Sequence, residues 1–442
     1  MLRVFTPSEA LNSILVRQPL DSMPVPPALL ESLERLFGAP VTPEQAVTRI
    51  LADVRQRGDD ALRDWTSRLD GHSPDRFAIP WEELEAALEH LPSEQRIALE
   101  TAAARIRSFH QAQPVTSWLT QASGGISGQL VRPIRRVGLY VPAGSAPLPS
   151  TVLMSAIPAQ VAGVPEIVLV TPPQRSSGKV ASIILATAAL LGIHEVFALG
   201  GAQAVGAMAF GTPSVPRVDK IFGPGNLFVT LAKRQVYGVV GIDGLAGPTE
   251  TLVIADEAAR PEWVAADLLA QAEHDVLAAA ILMTPSRELI TRVQQAVARQ
   301  IEQLSRAEII AASLENRSGA VLTRDLDEAI QLSNDYAPEH LCLSVSDPWR
   351  WLEKVKAAGG IFMGEHSFEV LGDYVAGPSH VMPTGGSARF ASPLNVMDFV
   401  HLVSLIGLDP ATTRRIAPGA VVLALAEGLD AHANAARLRV ED

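Results

Sequence analysis

Four short segments hold side chains whose types and spacing could do chemistry together. In Gln271-Ala272-Glu273-His274-Asp275, Gln271 and His274 are three apart, so on a helix both leave the same face. Ala337-Pro338-Glu339-His340 sets a carboxylate beside an imidazole, ahead of an apolar run that begins at Leu341. Histidine titrates near neutrality, so this pair suits acid/base work, although a plain polar turn reads the same way. Gly372-Asp373-Tyr374 is followed seven residues after the aspartate by His380, polar groups among apolar ones that call for a partner or a ligand. Glu427 and His432 lie in the apolar C-terminal region. Together Gln271, His274, Asp373 and His432 offer two imidazole nitrogens, a carboxylate and an amide oxygen. That set, without thiolate, suits zinc, with manganese or cobalt as substitutes. Spacing alone does not bring the four together, and a histidine at a helix end also serves as a cap.

Three glycine-rich turns suggest a second kind of site. Tyr140-Val141-Pro142-Ala143-Gly144-Ser145, Gly200-Gly201-Ala202-Gln203 and Gly223-Pro224-Gly225-Asn226 each follow an apolar run of strand length. Glycines there let backbone approach a phosphate or ribose at a helix N-terminus. No G-x-G-x-x-G is present in this region, and ordinary turn glycines would look the same.

The elements that must position these groups alternate. Strand-like runs at 137–141, 167–170, 196–199 and 218–222 are separated by helical patterns at 150–164, 180–191 and 202–210, with a further helix at 226–237. The alternation restarts with strands at 251–254, 278–283, 320–323, 341–345 and 361–363, separated by helices that include 261–272 and 288–304. Such alternation means right-handed crossovers and parallel sheets. The fold class expected is α/β, with two Rossmann-like doubly wound sheets, an N-terminal arm and a helical C-terminal tail. The division expected is an arm at 1–30, a first α/β domain of 31–136 plus 250–393 with the metal and catalytic residues, a nucleotide-binding domain at 137–249, and a dimer-forming tail at 394–442. Thr42-Pro43-Glu44-Gln45 reads as a helix start.

Bulk properties exclude other classes. A net charge of -12 repels nucleic-acid phosphates. One cysteine, Cys342, allows no intrachain disulfide and no thiolate cluster, and its apolar neighbours read as a buried strand. The longest apolar run, 180–193, falls short of the roughly 18–20 residues a membrane span needs. No signal-peptide pattern opens the chain, so a cytoplasmic location is expected.

In this order the segments resemble the histidinol dehydrogenase family, over about 42–439 and most strongly over 137–164, 218–256, 267–275, 337–341, 372–389 and 427–434. The resemblance implies oxidation of L-histidinol to L-histidine through the aldehyde, with NAD and one zinc per subunit. It implies Glu339 and His340 as catalytic residues, and Gln271, His274, Asp373 and His432 as zinc ligands, the last from the partner subunit of an intertwined homodimer. NAD contacts fall on Tyr140, Gln203 and Asn226. Substrate contacts fall on Thr249, His380 and Glu427 together with Gln271, His274, His340, Asp373 and His432. Thr249 stands where the family has serine, Ser379 where asparagine is common, and Val276-Leu277 where proline and a polar residue are usual. These departures bear on substrate specificity and remove no ligand. The alternatives are a relative acting on another small alcohol, a zinc hydrolase in which Glu339 activates water without a cofactor, and a silent binding paralogue.

Overall fold

The computed structural model describes residues 2–17, 25–72, 75–122, 124–143 and 146–441. Its strands in chain order are β1 (Val4–Phe5), β2 (Ala78–Ile79), β3 (Trp118–Thr120), β4 (Ile126–Pro133), β5 (Arg136–Tyr140), β6 (Glu166–Thr171), β7 (Glu195–Ala198), β8 (Lys220–Phe222) and β9 (Gly241–Ile242). Then come β10 (Glu250–Ala255), β11 (Ala279–Thr284), β12 (Gly319–Leu322), β13 (His340–Ser344), β14 (Gly360–Met363) and β15 (Val400–Gly407).

Two six-stranded sheets result, ordered β2-β7-β6-β5-β8-β9 and β1-β12-β11-β10-β13-β14. Except for β2, which is antiparallel to β7, every pairing in them is parallel. Each five-strand series has the doubly wound order, third-second-first-fourth-fifth, with helices on both faces. β10 and β11 are buried along their whole length, as strands covered on both sides must be. The two topological switch points lie between β5 and β8 and between β10 and β13. The expected α/β fold is present. Among the described residues no helix is long and apolar enough to cross a membrane.

Three segments pack differently from the expected division. Helices Pro43–Arg57 and Asp59–Asp70 do not join the 250–393 sheet. Their apolar stripe (Val47, Ile50, Leu51, Val54, Leu62) enters one core with Val205 and Met208 of helix Gly201–Phe210. The fit depends on small residues in that helix: a Cβ at Gly206 would sit 3.1 Å from Leu51. The N-terminal residues expected as an arm are an edge of the second sheet, with β1 beside β12 and Leu2, Ala10, Ile14 and Leu15 buried. The tail opens with a strand, β15, antiparallel to β4 over eight residue pairs, before helices Pro410–Ala426 and Asp430–Glu441 pack on each other. Its root is tied to the first sheet, where Phe399 stacks on Phe222 at 4.1 Å and Lys220 Nζ donates to the Asp398 carbonyl at 2.7 Å. Beyond that root the tail leaves Ile406 77% and Val422 and Leu423 each 66% exposed.

Candidate functional site

The acid/base pair sits at the amino ends of β10 and β13, where Thr251 lies opposite His340. Helix Leu326–Tyr336 ends at Ala337, whose φ of 51° makes it the only non-glycine residue in the left-handed region among the described residues. Strain of this kind costs about 1–3 kcal/mol and persists where the surroundings hold it. The turn delivers Glu339 into the interior, where Oε2 accepts from Thr249 Oγ1 at 2.6 Å and from the Glu250 N–H at 3.0 Å. Burial pushes the Glu339 carboxyl up to about 7, with His340 and those two hydrogen bonds opposing and the Glu250 charge adding to the rise.

His340 is also buried. Its Nδ1 lies 3.1 Å from the Glu250 carbonyl, with carboxylate oxygens of Glu369 and Glu339 at 3.7 and 3.8 Å. A carbonyl can only accept, so Nδ1 carries the proton and Nε2 keeps a free lone pair. That Nε2 is buried and has no partner. The arrangement is a base with its tautomer set and its acceptor open.

Gln271 and His274 come from the end of helix Pro261–Ala272. Gln271 is fully buried with both amide atoms unpaired. Such a group costs about 1–3 kcal/mol unless something meets it, which suits a metal or a polar ligand. His274 is at the exposed rim, and partial desolvation lowers its pKa while Asp373 and Glu273 oppose. Asp373 is on the short helix Glu369–Tyr374, and its carbonyl accepts from His380 Nδ1 at 2.8 Å. His380 Nε2 then accepts from Thr151 Oγ1 at 3.2 Å, a hydroxyl on helix Pro149–Val161 of the other unit. Burial lowers the pKa of His380, with the charges of His340 and His274 adding to the fall and Asp373 opposing it. Thr249, Gln271, His274, Glu339, His340, Asp373 and His380 therefore gather at one seam. Gln271, His274 and Asp373 offer nitrogen and oxygen donors only, the buried Gln271 amide has no partner among the described residues, and desolvation favours the neutral, ligating form of His274, a donor set that fits zinc.

Glu427 and His432 are not brought there. Both are exposed on the C-terminal helix pair, and among the described residues no cluster of three or more His, Cys, Asp or Glu has metal-binding geometry.

The glycine turns lie at the opposite strand ends, the carboxyl ends of β5, β7 and β8. The Gly201 N–H donates to the Tyr140 hydroxyl oxygen at 3.2 Å, and burial raises that phenol to about 12, so it stays a neutral donor. Gln203 is fully buried with both amide atoms unpaired. Asn226 is exposed and caps helix Leu227–Val236, its Oδ1 accepting from Phe228 N at 3.1 Å and Val229 N at 3.2 Å. Gly223 has φ 109°, and a Cβ there would fall 2.0 Å from the Tyr140 carbonyl. Its N–H donates to Asp243 Oδ2 at 2.7 Å, and buried Lys233 spans the Gly223 carbonyl and Asp243. Two helix N-termini and one unpaired buried amide, that of Gln203, make a cradle for an anionic, polar ligand. Gly144 and Ser145 of the first turn lie outside the described residues.

A linker joins the two places. Between β9 and β10, Asp243 touches Gly223 at one end and Thr249 touches Glu339 at the other. In between, the Ala246 carbonyl accepts from Thr230 and the Gly247 N–H donates to Thr384.

Sequence reasoning missed Glu250, Glu369, Thr151 and Arg17. Glu369 lies four residues before Asp373, one helical turn away, and accepts from Thr251 Oγ1. Burial and the Asp373 charge push its pKa well above the carboxylate range. The i, i+4 spacing was its available signal. Thr151 and Arg17 carry no local signal.

The sequence profile described as histidinol dehydrogenase matches residues 40–440. The chain is 55% identical over 423 residues to the histidinol dehydrogenase of Deinococcus radiodurans, covering 95% of this chain and 96% of that protein. It is 51% identical over 398 residues to that of Thermus thermophilus, covering 90% and 95%. The crystal structure of histidinol dehydrogenase from Elizabethkingia anophelis superposes with a TM-score of 0.90 at 35% identity, covering 100% of this chain and 98% of that one.

Proposed function

The chain belongs to the histidinol dehydrogenase family, and from that premise we propose that it oxidises L-histidinol to L-histidine in two hydride transfers, the last steps of histidine biosynthesis. The observation that carries the reading is the unpaired Nε2 of His340 beside the buried carboxyl of Glu339.

His340 Nε2 takes the hydroxyl proton as the carbinol carbon gives up its first hydride, leaving the aldehyde. Glu339 then takes a proton from water as that water adds to the carbonyl, and the hydrate gives up the second hydride to become the carboxylate. Two hydrides leave and one water enters. With its pKa near 7, Glu339 is divided between base and acid forms at neutral pH, as a group that both takes and returns a proton should be. Thr249 holds Glu339 in register. His380 and Glu427 contact the substrate, Glu427 from a second copy.

NAD, accepting the hydrides, fits Tyr140, Gln203 and Asn226 at the glycine turns. Gln271, His274, Asp373 and the His432 of a second copy would hold zinc, which would supply a fixed positive charge for positioning the substrate. The exposed large apolar side chains of the tail, among them Ile406, Val422 and Leu423, support a homodimer with shared sites, because such a concentration of exposed apolar residues calls for a covering partner.

Counting NADH formed per histidinol consumed by zinc-loaded protein tests the reaction. Two NADH with histidine as product supports it. One NADH identifies an aldehyde-releasing relative, and none, with metal bound, identifies another substrate or a hydrolase. Mixing His432→Ala with Gln271→Ala protein should restore activity by pairing one intact shared site, and no recovery would rule out sharing.

A further inference from the structure

We infer that Arg17, from the N-terminal segment, is a positioning residue that sets the geometry and the charge environment of the Glu339–His340 pair. This rests on the proposed reaction, and it concerns a residue outside the 40–440 span of the family profile.

The guanidinium makes contacts to both sides of the pair. Nη1 and Nη2 form a bidentate ion pair with the Glu250 carboxylate, Nη2 at 2.9 Å. Nε donates to the Tyr336 carbonyl at 2.9 Å and Nη2 to the Ala337 carbonyl at 3.2 Å. The plane lies over the Tyr336 ring, 3.5 Å from its centroid. Those two carbonyls flank the left-handed Ala337 turn that delivers Glu339, so Arg17 braces the strained peptide from outside. Glu250 is 5% exposed, and its N–H and carbonyl are the groups that hold Glu339 Oε2 and His340 Nδ1. One side chain therefore links the turn preceding the pair with the strand residue that hydrogen-bonds both members. The glycines at 385 and 386 complete the enclosure. Gly385 N–H donates to Glu250 Oε1 at 3.3 Å, and a Cβ at Gly386 would lie 3.2 Å from Arg17 Nε.

The electrostatic consequence is specific. Glu339 faces His340 on its own strand, Thr249 and Glu250 from β10, and Glu369 through His340. The Glu250 charge disfavours ionised Glu339, and the guanidinium paired with that carboxylate is placed to balance it. A purely structural staple would fix the backbone without acting on that balance.

The test is the pH profile of kcat for aldehyde oxidation in wild type, Arg17→Gln, Glu250→Gln and the double variant, with melting temperature and NAD binding recorded beside it. Arg17→Gln should lower kcat about 10- to 100-fold and move the acid limb up by about one pH unit. That limb should return in the double variant, where the unbalanced carboxylate is gone. Arg17→Lys, which keeps the charge but cannot span both carbonyls and the carboxylate, should lower kcat while leaving the limb in place. An unmoved limb in Arg17→Gln, an uncorrected limb in the double variant, or wild-type kcat in Arg17→Lys would each overturn the inference. Absence of turnover in the wild-type protein would instead overturn the proposed reaction.

Discussion

The two sheets share one strand order yet use opposite ends. The first presents mostly backbone at the carboxyl ends of its strands: glycines at 201 and 223, helix N-termini, and one buried amide, Gln203. The second presents side chains at the amino ends of β10 and β13: Glu339, His340, Glu369 and another buried amide, Gln271. At the carboxyl ends of β10 and β13 the switch-point crevice is bridged by Asp256, whose Oδ2 accepts from both the N–H and the hydroxyl of Ser346 at 2.7 Å. Topology thus offers a crevice at each switch point, and the residues decide whether it opens. A charged polyphosphate-bearing ligand suits backbone donors that carry no titration, whereas proton transfer needs groups whose pKa burial can set.

This division of labour can be broken experimentally, and the largest effect is expected at the base. His340→Ala should lower kcat 10²- to 10⁴-fold while leaving NAD affinity unchanged in a fluorescence titration. Lost NAD affinity would mean that the two ends are not separate.

Next comes Glu339. Its folded-state pKa, about 7, lies above the ordinary value of 4.5. The protonated form is therefore the one favoured by folding, and stability present below about pH 4.5 declines as pH rises through 7. Glu339→Gln should remove that decline and be more stable than wild type at pH 8, by up to about 3 kcal/mol, with the gap closing towards pH 4.5. Denaturant melts at both pH values check this, and a constant gap would show that the buried carboxyl does not titrate in this range.

Gly223→Ala tests the cradle. The added methyl meets the Tyr140 carbonyl at a backbone conformation only glycine adopts freely, so a cost of about 1–3 kcal/mol should appear mainly as weaker NAD binding. Zinc content should stay at the wild-type level, and its loss would show that the strain spreads across the seam.

The smallest effect is expected at Thr249. Thr249→Val removes one donor to Glu339 and should cost about 1 kcal/mol in kcat/KM, whereas Thr249→Ser should restore it. A loss in Thr249→Ser as large as that in Thr249→Val would show that the methyl group, which Val keeps and Ser lacks, matters as much as the hydroxyl.

Much of this was legible in the sequence because it is local. Strands β5 to β8 and β10 to β14 read as short apolar runs, whereas the two-residue β1, β2 and β9 are too short to show one, and Glu339-His340 reads as standing at a strand start, where it is found. The packing of helices 43–70 was not legible. An amphipathic stripe shows that a helix buries one face but not which sheet receives it. β15 escaped notice because its strand is mostly exposed, so it lacks the buried alternation that marks a half-covered strand. Arg17 stands in a stretch without periodicity, and only the fold, bringing residue 17 beside residues 250 and 336, reveals its contacts.

The linker from Asp243 to Thr249 acts as a leash. Six peptide steps at about 3.3–3.6 Å each cap its reach near 20 Å, and its two ends touch the cradle at Gly223 and the acid at Glu339. The glycine cradle and Glu339 are therefore tethered to each other by a single short segment of backbone. The proposed two-step oxidation would gain from that tether, because an aldehyde held beside Glu339 would stay within about 20 Å of the cradle proposed for NAD.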